Sequence, residues 1–197
     1  MMLSARSEGP VGEALQLPEW FDDDGFVLRP PTAEDVDRIT EICQDPDIQR
    51  FTRIPVPYRR QDAESFVPIA TEALQQGRGA HLLVEVDGAV VGCVGASIHP
   101  TDQLAAVGYW TAREARRQGV TIGAMRRLCR WLLEDVGMAR LELETAASNP
   151  GSNAVADRLG FRLEGTRRSA MLLSSVGDRP AERVDASDWG LLPGELR

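Results

Sequence analysis

The chain has 197 residues, of which 43% are hydrophobic and 26% are charged, and its formal net charge is −8. This length allows one domain with a substantial core, and the composition excludes a disordered chain. The acidic balance argues against nucleic acid as a partner, because phosphate binding requires a positive field. We expect a flexible, Gly- and Pro-containing arm at residues 1–16 and a single domain at residues 17–197.

The few cysteines and histidines limit the metal and redox chemistry of the chain. Cys43, Cys93 and Cys129 are far apart and form no CxxC pair, which is typical of buried free thiols in a reducing compartment. No apolar run approaches the roughly 20 residues of a membrane span, and residues 1–10 do not have the order of a signal peptide. The sequence therefore predicts a cytoplasmic protein without a metal and without membrane contact.

The predicted elements follow the order β-α-α-β-β-β-α-β-α-β-β. Apolar and alternating runs predict strands at 26–29, 81–86, 89–98, 103–111, 140–146, 161–171 and 183–191. Helical spacing of apolar side chains predicts helices from Thr32 to Asp45, at 62–76, at 120–136 and at 153–159. This order indicates one mixed α/β domain.

The segment 116–121, with the sequence RRQGVT, leads from a predicted strand into the long helix. A glycine turn at a helix start leaves backbone N–H groups unpaired, and the helix dipole adds positive potential, so such a turn suits a pyrophosphate. Gly119 allows close approach of a phosphate, and Arg116 and Arg117 add charged donors. Taken alone, the segment is equally well explained as a strand–helix turn with solvated arginines.

A second segment, 149–153 with the sequence NPGSN, follows the strand predicted at 140–146. Asn149 and Ser152 are good helix caps, so capping alone explains them. Ser152 and Asn153 also follow a strand end, which is where open α/β sheets bind ligands. Both interpretations stay open for this segment alone.

Together the two segments resemble the motifs of the GNAT superfamily of acyl-CoA-dependent N-acyltransferases. The resemblance rests on an Arg-x-x-Gly-x-Thr turn and an Asn-x-x-Ser…Leu-Gly-Phe-x-x-Glu-Gly run, formed by Arg116, Gly119, Thr121, Asn149, Ser152, 159–161 and 164–165. The chain looks most like the RimJ/RimL-type branch, named for N-terminal acetyltransferases of ribosomal proteins. The likeness extends from residue 25 to near the C-terminus. Thr121 departs from the pattern, which usually has Gly or Ala there.

The resemblance implies the GNAT fold, a mixed α/β (α+β) architecture with helices on both faces of a twisted sheet of about seven strands. Two central parallel strands, 103–111 and 140–146, would splay apart in a V and admit the pantetheine arm of acetyl-CoA or another acyl-CoA. Strand backbone would pair with that arm, and the N–H groups of 118–123 would hold the pyrophosphate. The implied coenzyme-binding residues are Tyr109, Trp110, Thr111, Ala112, Arg116, Arg117, Gln118, Gly119, Val120, Thr121, Gly123, Asn149, Ser152 and Asn153.

The implied chemistry is transfer of an acetyl or other short acyl group to a primary amine by direct attack in a ternary complex. Ser152 would protonate the leaving thiolate, and Asn149 would orient pantetheine and Ser152. A backbone N–H near Val107 or Gly108 would stabilise the oxyanion. The attacking amine must lose a proton to a carboxylate or through water, and Glu142 is the carboxylate assigned to that step.

Other side chains keep the identity of the base open. Glu85 and Glu144 are further strand carboxylates, although such carboxylates are more often solvated charges. His81 and His99 are bases by their ordinary pKa, yet each is more often a surface or internally satisfied histidine. Residues 51–58 occupy the place where this family usually builds its acceptor wall.

The sequence does not fix the acceptor or the acyl chain. A protein N-terminus is the acceptor that the resemblance favours. An antibiotic- or metabolite-acetylating enzyme of the same fold, and a catalytically silent acyl-CoA-binding module, remain open alternatives. Dimers are frequent in this branch, so we predict a homodimer with an interface at Trp189, Leu191 and Leu192.

Overall fold

A mixed β-sheet with helices on both faces organises the chain. The structure, a computed structural model, describes residues 14–18, the backbone of 22–23, and residues 25–197. The strands are β1 Asp22–Asp23, β2 Phe26–Arg29, β3 Gly79–Val86, β4 Ala89–His99, β5 Leu104–Thr111, β6 Arg140–Ala146, β7 Arg162–Leu173 and β8 Glu182–Leu191. The helices are α1 Val36–Ile42, α2 Pro46–Phe51, α3 Arg60–Gln75, α4 Val120–Glu134 and α5 Pro150–Leu159.

The strands lie in the order β1-β2-β3-β4-β5-β6-β8-β7. Neighbouring strands are antiparallel, except for β5 and β6, which are parallel and are joined by the crossover helix α4. All seven predicted strands are present, and the two-residue β1 is added at one edge. The predicted mixed sheet is therefore confirmed.

The parallel strands β5 and β6 are paired only at their beginnings. Their pairing ends with Ala106 on β5 and Glu142 on β6. Beyond that point, β5 continues to pair with β4 and β6 with β8, up to the ends of β5 and β6. The sheet therefore opens between 107–111 and 143–146, which is the V-shaped splay that the resemblance implied.

Two hydrophobic cores lie on opposite faces of the sheet. One core packs α4 and α5 against the strands, and Leu128 and Trp131 of α4 are almost fully buried in it. The other core packs α1, α2 and α3 around Ile39 and Leu83. Helices thus cover both faces, and the splay is the place where the sheet itself leaves an opening between them.

The three cysteines are buried and free. Burial raises the pKa of the Cys43 and Cys129 thiols to about 12, because an apolar core solvates a thiolate poorly. Cys129 belongs to α4 and is completely buried in the core, so its predicted structural role is confirmed.

Helix α2 was not predicted, because Asp45 and Pro46 were interpreted as the end of a helix. The Asp45 side chain accepts hydrogen bonds from the N–H groups of Asp47 and Ile48, and Pro46 is the first helical residue. Proline is favoured at this position because the first helical N–H has no partner within the helix. The same rule explains why α5 begins at Pro150, three residues earlier than predicted.

The predicted N-terminal arm lies mostly outside the described residues, which begin at residue 14. Leu15 donates its N–H to the Leu74 carbonyl at 3.0 Å, and the Gln16 carbonyl accepts the Trp131 indole N–H at 3.2 Å. These hydrogen bonds hold the last residues of the predicted arm against α3 and α4.

The dimer interface predicted on the last strand is largely used within the monomer. Leu191 is completely buried in the core under α4 and α5. Trp189 is half-buried and donates its indole N–H to the Thr145 hydroxyl at 3.0 Å. Leu191 is therefore not available for an interface, which corrects that part of the prediction. None of the described helices combines the length and hydropathy of a membrane span.

Candidate functional site

A cleft of about 1690 Å³ occupies the splay between β5 and β6. It is larger than the roughly 300–1,000 Å³ of a typical small-molecule site, so it has room for two ligands. The second half of β5, the first half of β6, the starts of α4 and α5, and residues along α2 all contribute to its lining. Both sequence motifs thus meet in one cleft.

Strand alternation divides the cleft into two sides. Tyr109 and Thr111 point towards α5 and α4, where they hydrogen-bond to Ser152 and Thr121. We call these four residues the hydroxyl side. Trp110 points to the opposite face and packs on the core under α1 to α3.

The charged residues of β6, β7 and β8 that line the cleft lie on that opposite face, together with one arginine that follows α2. Leu141 and Leu143 pack in the core under α4 and α5, so alternation places Glu142 and Glu144 on the other face. We call this set the ion-pair side; it comprises Glu142, Glu144, Glu164, Asp188, Arg53, Arg140 and Arg167.

The turn before α4 presents backbone N–H groups to open space. Gly119 adopts φ +84°, and no side-chain hydrogen bond caps the start of α4 within the described part of the chain. A Cβ on Gly119 would meet no atom within 4 Å. The donors do not extend to Gly123, whose N–H already donates to the Gly119 carbonyl at 3.0 Å.

The two arginines of this turn have different roles. Arg116 donates to Asp45 at 2.9 Å and to the Thr111 carbonyl at 3.2 Å, so it ties the turn to the cap of α2. Burial opposes ionisation of Asp45, but the hydrogen bond from Arg116 and those from backbone N–H groups hold its pKa below the usual range. Arg117 is exposed and forms no ion pair with the described residues. Arg117 is therefore the arginine that remains available to an anion.

Five of the predicted coenzyme-binding residues do not line the cleft: Ala112, Gln118, Val120, Gly123 and Asn153. Ala112 is buried and donates its N–H to the Val91 carbonyl at 2.8 Å. A Cβ on Gly123 would lie 2.9 Å from the Phe26 ring, so this glycine allows α4 to approach β2. The remaining nine line it: Tyr109, Trp110, Thr111, Arg116, Arg117, Gly119, Thr121, Asn149 and Ser152.

The first turn of α5 places Ser152 in the cleft. Asn149 caps the helix by accepting the Ser152 N–H at 3.2 Å. Asn153 accepts the Thr145 hydroxyl at 2.6 Å and donates to the Ala147 carbonyl at 3.1 Å, so it attaches α5 to β6. Asn149 thus fixes the backbone that presents the Ser152 hydroxyl.

The hydroxyl groups of Tyr109 and Ser152 lie 2.8 Å apart in a hydrogen bond. Burial raises the pKa of Tyr109, while the bond to Ser152 opposes this, so the phenol stays protonated at neutral pH. The sequence predicted Tyr109 as a coenzyme-binding residue but gave its phenol no part in proton transfer. Alternation along β5 indicates which face of the sheet the Tyr109 side chain lies on. It does not indicate that α5 brings Ser152 to the phenol.

The unusual Thr121 also has a partner on the hydroxyl side. Its hydroxyl lies 2.7 Å from that of Thr111, so the end of β5 is bonded to the first turn of α4. This hydrogen bond gives a structural reason for threonine where the family pattern has Gly or Ala.

Every carboxylate among the described residues that line the cleft is ion-paired with arginine. The pairs are Asp47 with Arg116 and Arg179, Glu142 with Arg140, Glu144 with Arg53 and Arg167, Glu164 with Arg140, and Asp188 with Arg167. Hydrogen bonds from these arginines hold the pKa of Glu164 and of Asp188 below the usual range. Such carboxylates are poor proton acceptors near neutral pH.

The predicted base, Glu142, lies at the vertex of the splay, where it is still paired with Ala106. Glu144 lies where the strands have separated, but Arg53 and Arg167 occupy its two oxygens. Glu85 lies outside the cleft, in an ion pair with β2. The structure thus gives Glu142 a position and a partner that do not favour the role of base.

One of the two histidines and the first part of the predicted acceptor wall line the cleft. His81 lines the cleft, whereas His99 is exposed at the end of β4. The first residues of the predicted wall, 51–54, line the cleft beside the ion-pair side. Tyr58, at the end of that segment, is instead buried in the core under α1 to α3.

Two curated relatives match part of the chain. YdaF of Bacillus subtilis (strain 168), whose name makes it a candidate ribosomal N-acetyltransferase, is 32% identical over 133 residues, which are 66% of this chain and 64% of YdaF. The ribosomal-protein-serine acetyltransferase of Escherichia coli (strain K12) is 28% identical over 105 residues, 53% of this chain and 59% of that protein. The matches thus span less than two thirds of the length of either relative.

A solved structure with a similar fold is that of RimL, a ribosomal L7/L12 alpha-N-protein acetyltransferase in complex with coenzyme A. The TM-score is 0.78 at 20% identity, and the match covers 86% of this chain and 95% of that one. At this identity the likeness shows the fold. Residues 26–162, more than half of the chain, match the family described as Acetyltransferase (GNAT) domain. The chain therefore belongs to the GNAT acetyltransferase family.

Proposed function

We propose that this protein is an acyl-CoA-dependent N-acetyltransferase that acetylates a primary amine, with a protein N-terminus as the acceptor. The observation that carries the proposal is that the open glycine turn and the Tyr109–Ser152 pair meet in one cleft of a GNAT domain. In this proposal residues 17–197 form the catalytic domain, which works in the cytoplasm without a metal. A homodimer remains predicted, without an assigned interface.

The groups that suit coenzyme A lie on and beside the hydroxyl side. The N–H groups of the Gly119 turn and the free guanidinium of Arg117 suit the pyrophosphate, because both offer donors to a doubly charged anion. The edge of β5 at 107–111 faces the splay without a partner strand, so its backbone can pair with an extended pantetheine arm. Open space beside Gly108, where a Cβ would meet nothing within 4 Å, leaves room for the acyl end.

The hydroxyl pair is suited to supply a proton. Acyl-CoA brings a thioester carbonyl and a thiol leaving group to the cleft. The Ser152 Oγ holds the proton that the departing sulfur needs, and the neutral Tyr109 phenol can replace it through their hydrogen bond. Asn149 keeps Ser152 in place through the cap of α5. Tyr109 thereby joins Ser152 and Asn149 as a residue proposed to support turnover.

The names of the two curated relatives support a protein acceptor, because both refer to acetylation of ribosomal proteins. The size of the cleft is compatible with this, since a peptide end and acyl-CoA must occupy it together. The ion-pair side lies on the other face of the sheet from the hydroxyl side, which leaves it to the acceptor.

An assay with matched peptides tests the proposal. Purified protein is incubated with acetyl-CoA and peptides that begin with free Ser or Ala, and with the same peptides blocked at the N-terminus. Spermidine and an aminoglycoside represent small amines. We expect thiol release and a mass increase of one acetyl group on the free N-termini alone. Turnover of small amines only would instead support the metabolite-acetylating alternative. Acetyl-CoA binding without transfer to any amine would support the silent module.

A further inference from the structure

A row of residues in register crosses the sheet on the face beneath α1 to α3. His81 on β3 pairs with Gly95 on β4, which pairs with Gly108 on β5. Across the splay the same row reaches Glu144, two residues beyond the last paired residue of β6. The row therefore runs from His81 over two glycines to the point where the strands separate.

The His81 ring leans along this row towards the splay. A Cβ on Gly95 would lie 2.5 Å from His81 Nδ1, so the imidazole fills the space above that glycine. Phe66 of α3 packs edge-on against the ring, with centroids 5.7 Å apart. Two strand spacings, about 10 Å, separate the backbones of His81 and Gly108, and the ring spans part of that distance. The remainder fits an amine, or an amine and one water.

His81 also differs chemically from the other titratable groups of the cleft. The carboxylates are ion-paired with arginine, and the Tyr109 phenol is bonded to Ser152 on the other side. The imidazole forms no hydrogen bond or ion pair with the described residues, so a ring nitrogen is available. Burial lowers the pKa of His81, which keeps the ring neutral at pH 7 and able to accept a proton.

The neighbours of His81 do not counter the lowering of its pKa. Pairing of β3 with β2 begins only at Leu83, so β2 places no paired residue beside His81. From α3 the ring meets Phe66, which carries no charge. On β4 the titratable neighbour is the Cys93 thiol, which burial keeps protonated by raising its pKa. Across the splay the facing charges are Glu142 and Glu144, each compensated by arginine.

We propose that His81 accepts the proton of the attacking amine, the role for which the sequence favoured Glu142. This inference rests on the proposed acetyl transfer. The amine nitrogen forms the new N–C bond as the C–S bond breaks. The excess proton on nitrogen passes to His81 and then to solvent, while the sulfur takes a proton from Ser152, whose hydroxyl regains one from solvent. One amide and one thiol result, and no oxidant or further reactant is needed.

The chain contains two histidines, which makes a direct measurement feasible. In His99→Gln the only imidazole left belongs to His81, so its NMR titration is assigned without altering the site. We expect a pKa below the ordinary 6.5, and a change in the His81 chemical shift on addition of acetyl-CoA and of a peptide with a free N-terminus. An ordinary pKa with no response to either addition would overturn the role.

Kinetics with matched variants completes the test. His81→Gln is expected to lower kcat/KM by about 100-fold and to remove the acid limb of the pH–rate profile, with acetyl-CoA affinity unchanged. Added imidazole should restore part of the rate, which a purely structural role would not explain. His99→Gln should behave as wild type. Wild-type rates and an unchanged acid limb in His81→Gln would overturn the role of His81 and leave the proposed function standing. A wild type that binds acetyl-CoA but acetylates no amine would overturn the proposed function and this role together.

Discussion

The hydroxyl side and the ion-pair side line the same splay from opposite faces of the sheet, and they differ in charge. The hydroxyl side consists of uncharged groups in two hydrogen-bonded pairs, at 2.7 and 2.8 Å. The ion-pair side carries four carboxylates and three arginines bonded to one another, and no hydroxyl belongs to it.

This difference separates two tasks. A coenzyme that brings its own phosphates requires donors and open backbone, and neutral hydroxyls can pass a proton without attracting competing ions. Charges that are compensated in pairs keep the ion-pair side close to neutral and rigid, because each arginine fixes the carboxylate that it contacts. The proton acceptor must then be a group outside the pairs, which is the position of His81.

The largest expected effect is on the anion turn beside the hydroxyl side. Gly119→Glu places a charged side chain in the left-handed region at φ +84°, in the open space that a phosphate would enter. In wild type a hundredfold excess of acetyl-CoA over Kd should add about 2.7 kcal/mol of stability, or roughly 5–10 °C in Tm. In Gly119→Glu this shift should vanish.

Gly137→Glu is the matched control for that variant. Gly137 also has a positive φ, +80°, is exposed and lies away from the cleft, so backbone strain and added charge are the same. The control should keep the full acetyl-CoA shift. If Gly119→Glu also kept it, the phosphates would bind elsewhere.

The next effect concerns Ser152. Ser152→Ala removes the proposed proton donor but keeps the backbone N–H that Asn149 accepts, so α5 should remain capped. We expect kcat to fall about 100-fold with acetyl-CoA affinity within about twofold of wild type. Ser148→Ala, another serine in the cleft lining, should change neither value. Unchanged turnover in Ser152→Ala would remove Ser152 from the chemistry.

Tyr109→Phe should have a smaller effect of the same kind. It removes the phenol O–H that contacts Ser152 and keeps the ring, so the packing of β5 should be retained. We expect a reduction in kcat of about 10-fold, since Ser152 can still exchange its proton with water. Steady-state kinetics at saturating acetyl-CoA measures this reduction. The double variant with Ser152→Ala should lose little more activity than Ser152→Ala itself.

The smallest effect is expected on the ion-pair side. The Arg53 side chain is 87% exposed, and exposed ion pairs contribute little to stability, so Arg53→Ala should cost less than about 1 kcal/mol in the free energy of unfolding. Acetyl-CoA affinity should stay within about twofold of wild type. A large loss of that affinity would mean that the two sides do not have separate tasks.

Much of the fold was predictable because its signals are local. Period-two alternation located the strands, and the glycine turn marked the start of α4. The start of α5 was predicted three residues late, although Asn149 was recognised as a good cap residue. The splay followed from the family resemblance, and the end of pairing at Ala106 and Glu142 agrees with it.

The rest of the site depends on contacts between distant segments. The bond of Tyr109 to Ser152, and the capture of Arg116 by Asp45, join residues from different elements and have no local signal. The weak case for Glu142 has the same origin in part, since its position at the vertex appears only when β5 and β6 are assembled. Its pairing with Arg140, two residues earlier on the same strand, is a local contact.

Calorimetric titration of the wild type with acetyl-CoA at moderate salt tests the central claim most directly. A cleft built as described should bind one acetyl-CoA per chain with a Kd on the order of micromolar, and free CoA should also bind because the phosphates and pantetheine supply most of the contacts. Absence of binding to both at millimolar concentration, by heat and by thermal shift, would contradict the assignment of the hydroxyl side to acyl-CoA.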